Sequence, residues 1–166
     1  MRLRPYDRSA AVRYAHRWAY SRNPAFFDFS EFGGDCTNFV SQCIYAGSGV
    51  MNFTPTYGWY YINADNRAPA WTGVEYLHNF LLRSNNSVGP RAALVGLEDI
   101  GPGDVIQLSF QGLEYQHTAL VVAAMEPRSP QTVLVAAHSI DTDYRPLSTY
   151  DYKQLRCLHI LGTTVP

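Results

Sequence analysis

Gly33-Gly34-Asp35-Cys36-Thr37-Asn38-Phe39-Val40-Ser41-Gln42 sets one cysteine just after a glycine pair, at the start of a helical pattern. Phe39, Val40, Cys43 and Ile44 fall at i, i+1, i+4 and i+5, a single apolar stripe. Cys36 lies one turn before that stripe, at the helix mouth. A helix N-terminus carries roughly half a positive charge, which favours the thiolate, the form of cysteine that attacks. The same position also suits a small buried hydrophobe, the commonest role of a free cysteine.

Upstream, residues 7–22 predict a helix. Ala11, Tyr14, Ala15, Trp18 and Ala19 recur at helical spacing, Asp7 is a candidate N-cap, and Asn23-Pro24 stops the run. Residues 24–34 form an aromatic loop, and the Cys36 helix closes near Gly47 and Gly49. Residues 51–70 lack a period and are rich in Tyr, Asn and Pro, and irregular loops of this length are more often functional than short ones. Thr72-Gly73-Val74-Glu75 has the form of a capping box. The helix that follows carries Val74, Leu77, His78, Leu81 and Leu82 on one stripe, and Ser84-Asn85-Asn86-Ser87 ends it. Strand patterns then dominate. Gly101-Pro102-Gly103-Asp104 is a turn before Val105-Ile106-Gln107-Leu108. His117 leads into Thr118-Ala119-Leu120-Val121-Val122-Ala123, and Thr132 to Ala137 leads into His138. A last strand is expected near residues 154–161. Helices first and strands second predict an α+β fold, with N-terminal helices packed on a C-terminal antiparallel sheet. With 166 residues, no repeat and no linker, a single domain over 1–166 is expected.

Composition narrows the function classes. Hydrophobic residues make up 46% and charged residues 16%, which is globular rather than disordered. The net charge of −1 argues against nucleic acid or an anionic membrane as main partner. The 12 tyrosines imply either a tyrosine-rich core or a groove lined with rings. Tyr57, Trp59, Tyr60, Tyr61 and Trp71 are accordingly candidates for one wall of a substrate cleft, or for packing over the helices. Cys36, Cys43 and Cys157 are too few and too widely spaced for a disulfide framework, and no CxxC or HxxxH pair offers a zinc site, so no metal is expected. Met1-Arg2-Leu3-Arg4-Pro5 carries no apolar run, so no signal peptide is expected in this chain, and no apolar run is long enough to span a membrane. Compartment and oligomeric state are left open.

A thiol nucleophile needs a base, usually a histidine distant in sequence. His16 lies on the polar part of the first helix and His78 on a helix stripe. His159 shares a strand face with Cys157, but that pair has no helix mouth to activate the thiol. His117 opens an apolar strand directly after a polar turn. If its strand pairs with the next one antiparallel, His138 is brought beside it, where a polar group can fix the tautomer of the base. His138 can also be read as a strand-end residue facing water, and Asp141 as the competing orienter.

The segments Asp35-Cys36-Thr37-Asn38-Phe39-Val40-Ser41-Gln42, Gly103-Asp104-Val105-Ile106 and His117-Thr118-Ala119-Leu120-Val121-Val122 resemble the motifs of papain-like peptidoglycan amidases. The nearest group is the bacterial "putative amidase domain" family, related to the NlpC/P60 and CHAP hydrolases. The resemblance implies a papain-like fold of NlpC/P60 type and three site residues: Cys36 as nucleophile, His117 as base and His138 as polar third member. It makes Asp35 a candidate for holding the substrate's amino group, beside the candidate wall residues Trp59 and Tyr60. The chain departs from the NlpC/P60 pattern at Thr37-Asn38, where Ser-Gly would stand, and in a longer turn between the two histidine strands.

The function so implied is cysteine-dependent hydrolysis of an amide or peptide bond by thiol acyl transfer, in a peptide or peptidoglycan fragment, without metal or organic cofactor. That chemistry implies action at the cell wall or outside the cell, with a cytoplasmic site left open. A non-catalytic wall- or peptide-binding module and an acyltransferase using the same Cys/His pair are the alternatives.

Overall fold

The computed structural model describes residues 1–166. Four helices, α1 (Arg8–Trp18), α2 (Cys36–Ser48), α3 (Pro69–Thr72) and α4 (Val74–Leu81), precede most of the strands. The strands are β1 (Arg2–Arg4), β2 (Tyr61–Asn63), β3 (Asn66–Arg67), β4 (Gly89–Val95), β5 (Val105–Ser109), β6 (His117–Ala124), β7 (Val133–Ala137), β8 (Thr142–Pro146) and β9 (Gln154–Val165). β2 and β3 form a small hairpin, and the other seven make one sheet in the order β1-β9-β5-β6-β7-β8, with β4 also on β9. Every pairing in it is antiparallel. The α+β architecture expected from the chain, helices in the first half packed on an antiparallel sheet, is the one observed.

Alternation along the strands divides the interior into two cores. Val105, Leu120, Val122 and Leu158 face the helices, where they meet Ala11, Ala15, Phe39, Val40, Cys43 and Ile44. Ile106, Leu108, Ala119, Val121, Val133 and Cys157 face the other way, against Ile100 and Leu147. The second face has no long helix; short 3-10 turns at Leu97–Asp99 and Leu147–Thr149 help cover it.

α2 is the central helix, and every residue from Cys36 to Ile44 is buried. Its polar side chains are therefore held by partners, as burial demands. Thr37 Oγ1 and Thr118 Oγ1 lie 2.9 Å apart. Trp59 Nε1 donates to Ser41 Oγ at 3.0 Å, and Tyr14 donates its hydroxyl to Gln42. α1 crosses α2 at Gly47, where the Gly47 carbonyl accepts from the Asp7 amide at 2.9 Å. A Cβ on Gly47 would stand 2.5 Å from the Tyr6 ring and 2.7 Å from the Asp7 carbonyl oxygen, so only glycine fits. Asp104, from the Gly-Asp turn, is wholly buried and ties the far end of the sheet. It accepts from Arg8 at 2.6 Å, His159 Nδ1 at 2.8 Å, the Ile160 amide at 2.8 Å and the Gly101 amide at 3.0 Å.

Several local expectations change. α1 ends at Trp18 rather than near residue 22; the Trp18 carbonyl accepts from the Ser21 amide in a tighter turn and from the His138 ring. Residues 51–70 are less irregular than their sequence suggests, holding the β2–β3 hairpin and the start of α3. The capping box does not form. Thr72 closes α3 and accepts from Arg67 Nε, while Glu75 reaches Arg156. β4, rich in Gly, Ala and Pro, carries little strand propensity and is held by its long pairing with β9.

Gly47→Ala is expected to lower stability by about 1–2 kcal/mol, since pushing Tyr6 and Asp7 off α2 outweighs the ~1 kcal/mol helix-propensity gain of alanine. A thermal melt checks this: the midpoint falls by about 3–6 °C.

Candidate active site

Gly33 and Gly34 both adopt left-handed backbone, φ 96° and 101°, which turns the aromatic loop sharply into α2. Cys36 is the first residue of that helix, where backbone N–H groups have no helical partner. A cleft of about 720 Å³ opens over it. Cys36 and His117 both border this cleft, with Phe110, Tyr150, Arg145 and Arg22 among its other walls.

No hydrogen bond joins the two side chains. The side-chain partner of Cys36 Sγ is Thr37 Oγ1 at 3.8 Å. His117 shares the face of β6 that carries Ala119 and Val121, turned away from the helices. Its ring packs near Tyr150 and Phe110, with centroids 5.4 and 6.3 Å away, and its Nε2 is buried without a hydrogen-bond partner. Burial pushes the Cys36 thiol above its ordinary pKa, against the backbone of Thr118 and the hydroxyl and backbone of Thr37, which favour the thiolate. Burial, then the charge of Arg145, pushes His117 down to about 4. Both shifts favour the neutral forms, a thiol and an imidazole, against the thiolate that the helix mouth alone favours.

The strands of His117 and His138 pair antiparallel as expected, but the His138 ring turns to the helix side. Its Nδ1 is 2.5 Å from Asp35 Oδ2, its Nε2 is 2.9 Å from the Trp18 carbonyl, and its ring stacks on Phe39 at 4.0 Å. Both ring nitrogens are thus engaged away from His117, and His138 anchors Asp35 instead of orienting the base. Asp141, the competing orienter, is taken by Arg22 through bonds of 2.8 and 3.0 Å.

Asp35 is corrected too. It is 1% exposed, and its carboxylate accepts from the Phe29 amide at 2.8 Å, Asn38 Nδ2 at 2.9 Å and the His138 ring, so it has no surface to offer a substrate. Thr37 and Asn38, where the chain departs from Ser-Gly, serve this packing. Asn38 also donates to the Phe27 carbonyl and accepts from Trp71 Nε1 at 3.0 Å.

Trp59 and Tyr60 do not border the cleft. Trp59 is wholly buried among Trp71 and Phe80, and Tyr60 packs on Phe53. The rings of the cleft are Phe110 and Tyr150.

The other thiols and histidines are accounted for. Cys43 is sealed in the helix-side core and Cys157 in the opposite one, where burial pushes it up to about 12. His159 is held by Asp104, His16 by Asp143, and His78 lies against Asn79. No group of three or more His, Cys, Asp or Glu side chains converges as a metal site. The residues that sequence reading passed over are Arg145, Tyr150 and Asp151, in a stretch without strand period. Their signal was a charged and aromatic cluster close after His138.

The sequence matches the family described as "Putative amidase domain" over residues 5–161. The chain belongs to that family. It is also 37% identical over 149 residues to a protein of Bacillus subtilis (strain 168) named "Uncharacterized protein YhbB", an alignment that covers 88% of this chain and 45% of that relative. The chain thus spans about half the length of the curated relative it matches. No solved structure matches it. The family suggests a hydrolase acting on an amide, and no helix is long and apolar enough to cross a membrane.

Removing the Asp35 carboxylate strands a buried ring, an amide N–H and a side-chain amide at once. Asp35→Ala is expected to cost about 3–5 kcal/mol, read as a lower urea midpoint at unchanged slope. A fully stable Asp35→Ala protein with weakened substrate binding would return Asp35 to the substrate.

Proposed function

We propose that this chain is a cysteine-dependent amide hydrolase of papain-like architecture, with Cys36 as nucleophile and His117 as base. Its substrate in this reading is a peptide, most simply a stem peptide of bacterial cell-wall peptidoglycan. One observation carries the reading: of three thiols, only Cys36 borders a cleft, and an imidazole borders the same cleft.

The neutral resting pair defines the order of events. His117 takes the Cys36 proton as sulfur attacks the amide carbonyl, and gives that proton to the departing amine. Water, deprotonated by the same ring, then releases the acyl group and restores the thiol. The ring–thiol hydrogen bond forms as substrate binds, since catalytic hydrogen bonds are often long or misaligned before it does. The Cys36 amide, free at the helix start, is the candidate donor to the developing oxyanion. Asp35 and His138 act on this chemistry only by holding the loop and helix that present Cys36.

Stem peptides incubated with the protein and followed by mass spectrometry test the proposal. Cleavage is expected to fall by about a thousandfold or more in Cys36→Ala and in His117→Ala. Cleavage that survives in Cys36→Ala would overturn it.

The pH profile is a second check. His117 is active as the neutral base, so the acid limb of kcat/KM is expected near pH 4 instead of the ordinary 6.5. Between those values the unfolded chain binds a proton at this ring that the folded one refuses, so stability falls as pH drops through the window.

A further inference from the structure

Two guanidinium groups border the cleft that holds Cys36, those of Arg22 and Arg145. They differ in what neutralises them. Arg22 grips Asp141 through two bonds, and its Nε lies 3.3 Å from Asp28 and 3.6 Å from Asp35. Three carboxylates thus surround one cation, and little of its charge is left for a ligand.

Arg145 has no carboxylate partner. Its Nε donates to Thr149 Oγ1 at 2.7 Å and its Nη2 to the Thr149 carbonyl at 3.0 Å. Thr149 Oγ1 in turn donates to the Pro146 carbonyl at 2.8 Å, which fixes the turn. The guanidinium carbon stacks 3.6 Å above the Tyr150 ring. These contacts hold the plane of the fork and leave its charge without a carboxylate to compensate it. An arginine so held is preorganised for an anion, because little side-chain entropy remains to be lost on binding. Asp151 also borders the cleft, but it is exposed and its charge is screened by water.

We propose that Arg145 is the substrate-carboxylate site of this cleft: the amide that Cys36 attacks belongs to a molecule bearing a free carboxylate within a few bonds of the scissile bond. The proposal rests on Cys36 as the nucleophile. A carboxylate is the anion a peptide supplies, at its C-terminus or on an acidic side chain, and it matches the guanidinium fork. The position also links recognition to chemistry. The charge of Arg145 acts against protonation of His117. A carboxylate seated on Arg145 cancels that charge and makes it easier for His117 to take the thiol proton. A substrate lacking the carboxylate leaves the base suppressed.

Matched thiol probes test this. N-iodoacetylglycine, N-iodoacetyl-β-alanine and N-iodoacetyl-γ-aminobutyrate are compared with their carboxamides, reading Cys36 alkylation by peptide mass spectrometry. The ratio of acid to amide rates cancels any change in thiol reactivity. At one length or more, the wild-type ratio is expected to exceed that of Arg145→Gln about tenfold, with Arg145→Lys between them. Equal ratios in wild type and Arg145→Gln at every length would overturn the proposal. Plain iodoacetamide reports the nucleophile separately: failure to label Cys36 counts against the function, not against Arg145. In that case the unreactive N-acetyl acids give the answer, with binding followed through the His117 ring signals by NMR. Affinity about tenfold weaker in Arg145→Gln supports the site, and equal affinity overturns it.

Discussion

The Asp35 carboxylate is the joint on which this structure depends. It sits at the boundary of three pieces: the aromatic loop, the Cys36 helix that follows it, and the end of β7 about a hundred residues on. Phe29 supplies a backbone donor, Asn38 a side-chain donor and His138 a ring nitrogen. A buried carboxylate costs several kcal/mol to desolvate, and only a full set of donors offsets it. The position of Cys36 follows from that joint, because the residue beside it in sequence has no freedom to move.

A second buried carboxylate does comparable work at the far end of the sheet. Asp104 joins α1, the turn before β5 and the middle of β9. β9 is the strand to which most of the sheet refers, pairing with β4 along one edge and with β5 and β1 along the other. A buried carboxylate thus fixes the helix layer to the sheet at each end, with the apolar core between them. Each of the two aspartates carries a histidine on one oxygen. The aspartates beside the cysteine and in the Gly-Asp turn thus have an architectural explanation in this chain that needs no substrate.

Much of the fold was legible because it rests on periodicity. The apolar stripe of α2 and the contiguous apolar runs of β5, β6 and β7 are patterns of side chains, and they persist whatever the tertiary context. β1, β4 and β8 were not legible, since pairing with neighbours holds them and their composition says little. At the site, Cys36 and His117 were readable as a thiol at a helix mouth and a ring at a strand start, and they do border one cleft. The His138 ring points away from His117, because strand pairing gives proximity along a sheet but not the direction of a ring. Trp59 and Tyr60 lie off the cleft for a related reason: aromatic content does not distinguish a core from a wall. Arg145 and Tyr150 lie in a segment with no period, and only the tertiary fold brings them to Cys36.

The isolation of Cys36 has a redox consequence. Many thiol enzymes survive peroxide because a neighbouring cysteine condenses with the sulfenic acid and stores it as a disulfide. Here the other two thiols are sealed in separate cores on opposite faces of the sheet. A sulfenic acid on Cys36 has no resolving partner within the chain, so its recovery falls to small thiols able to enter the cleft. Without those, a second equivalent of peroxide carries Cys36 to sulfinic acid, which small thiols do not reverse.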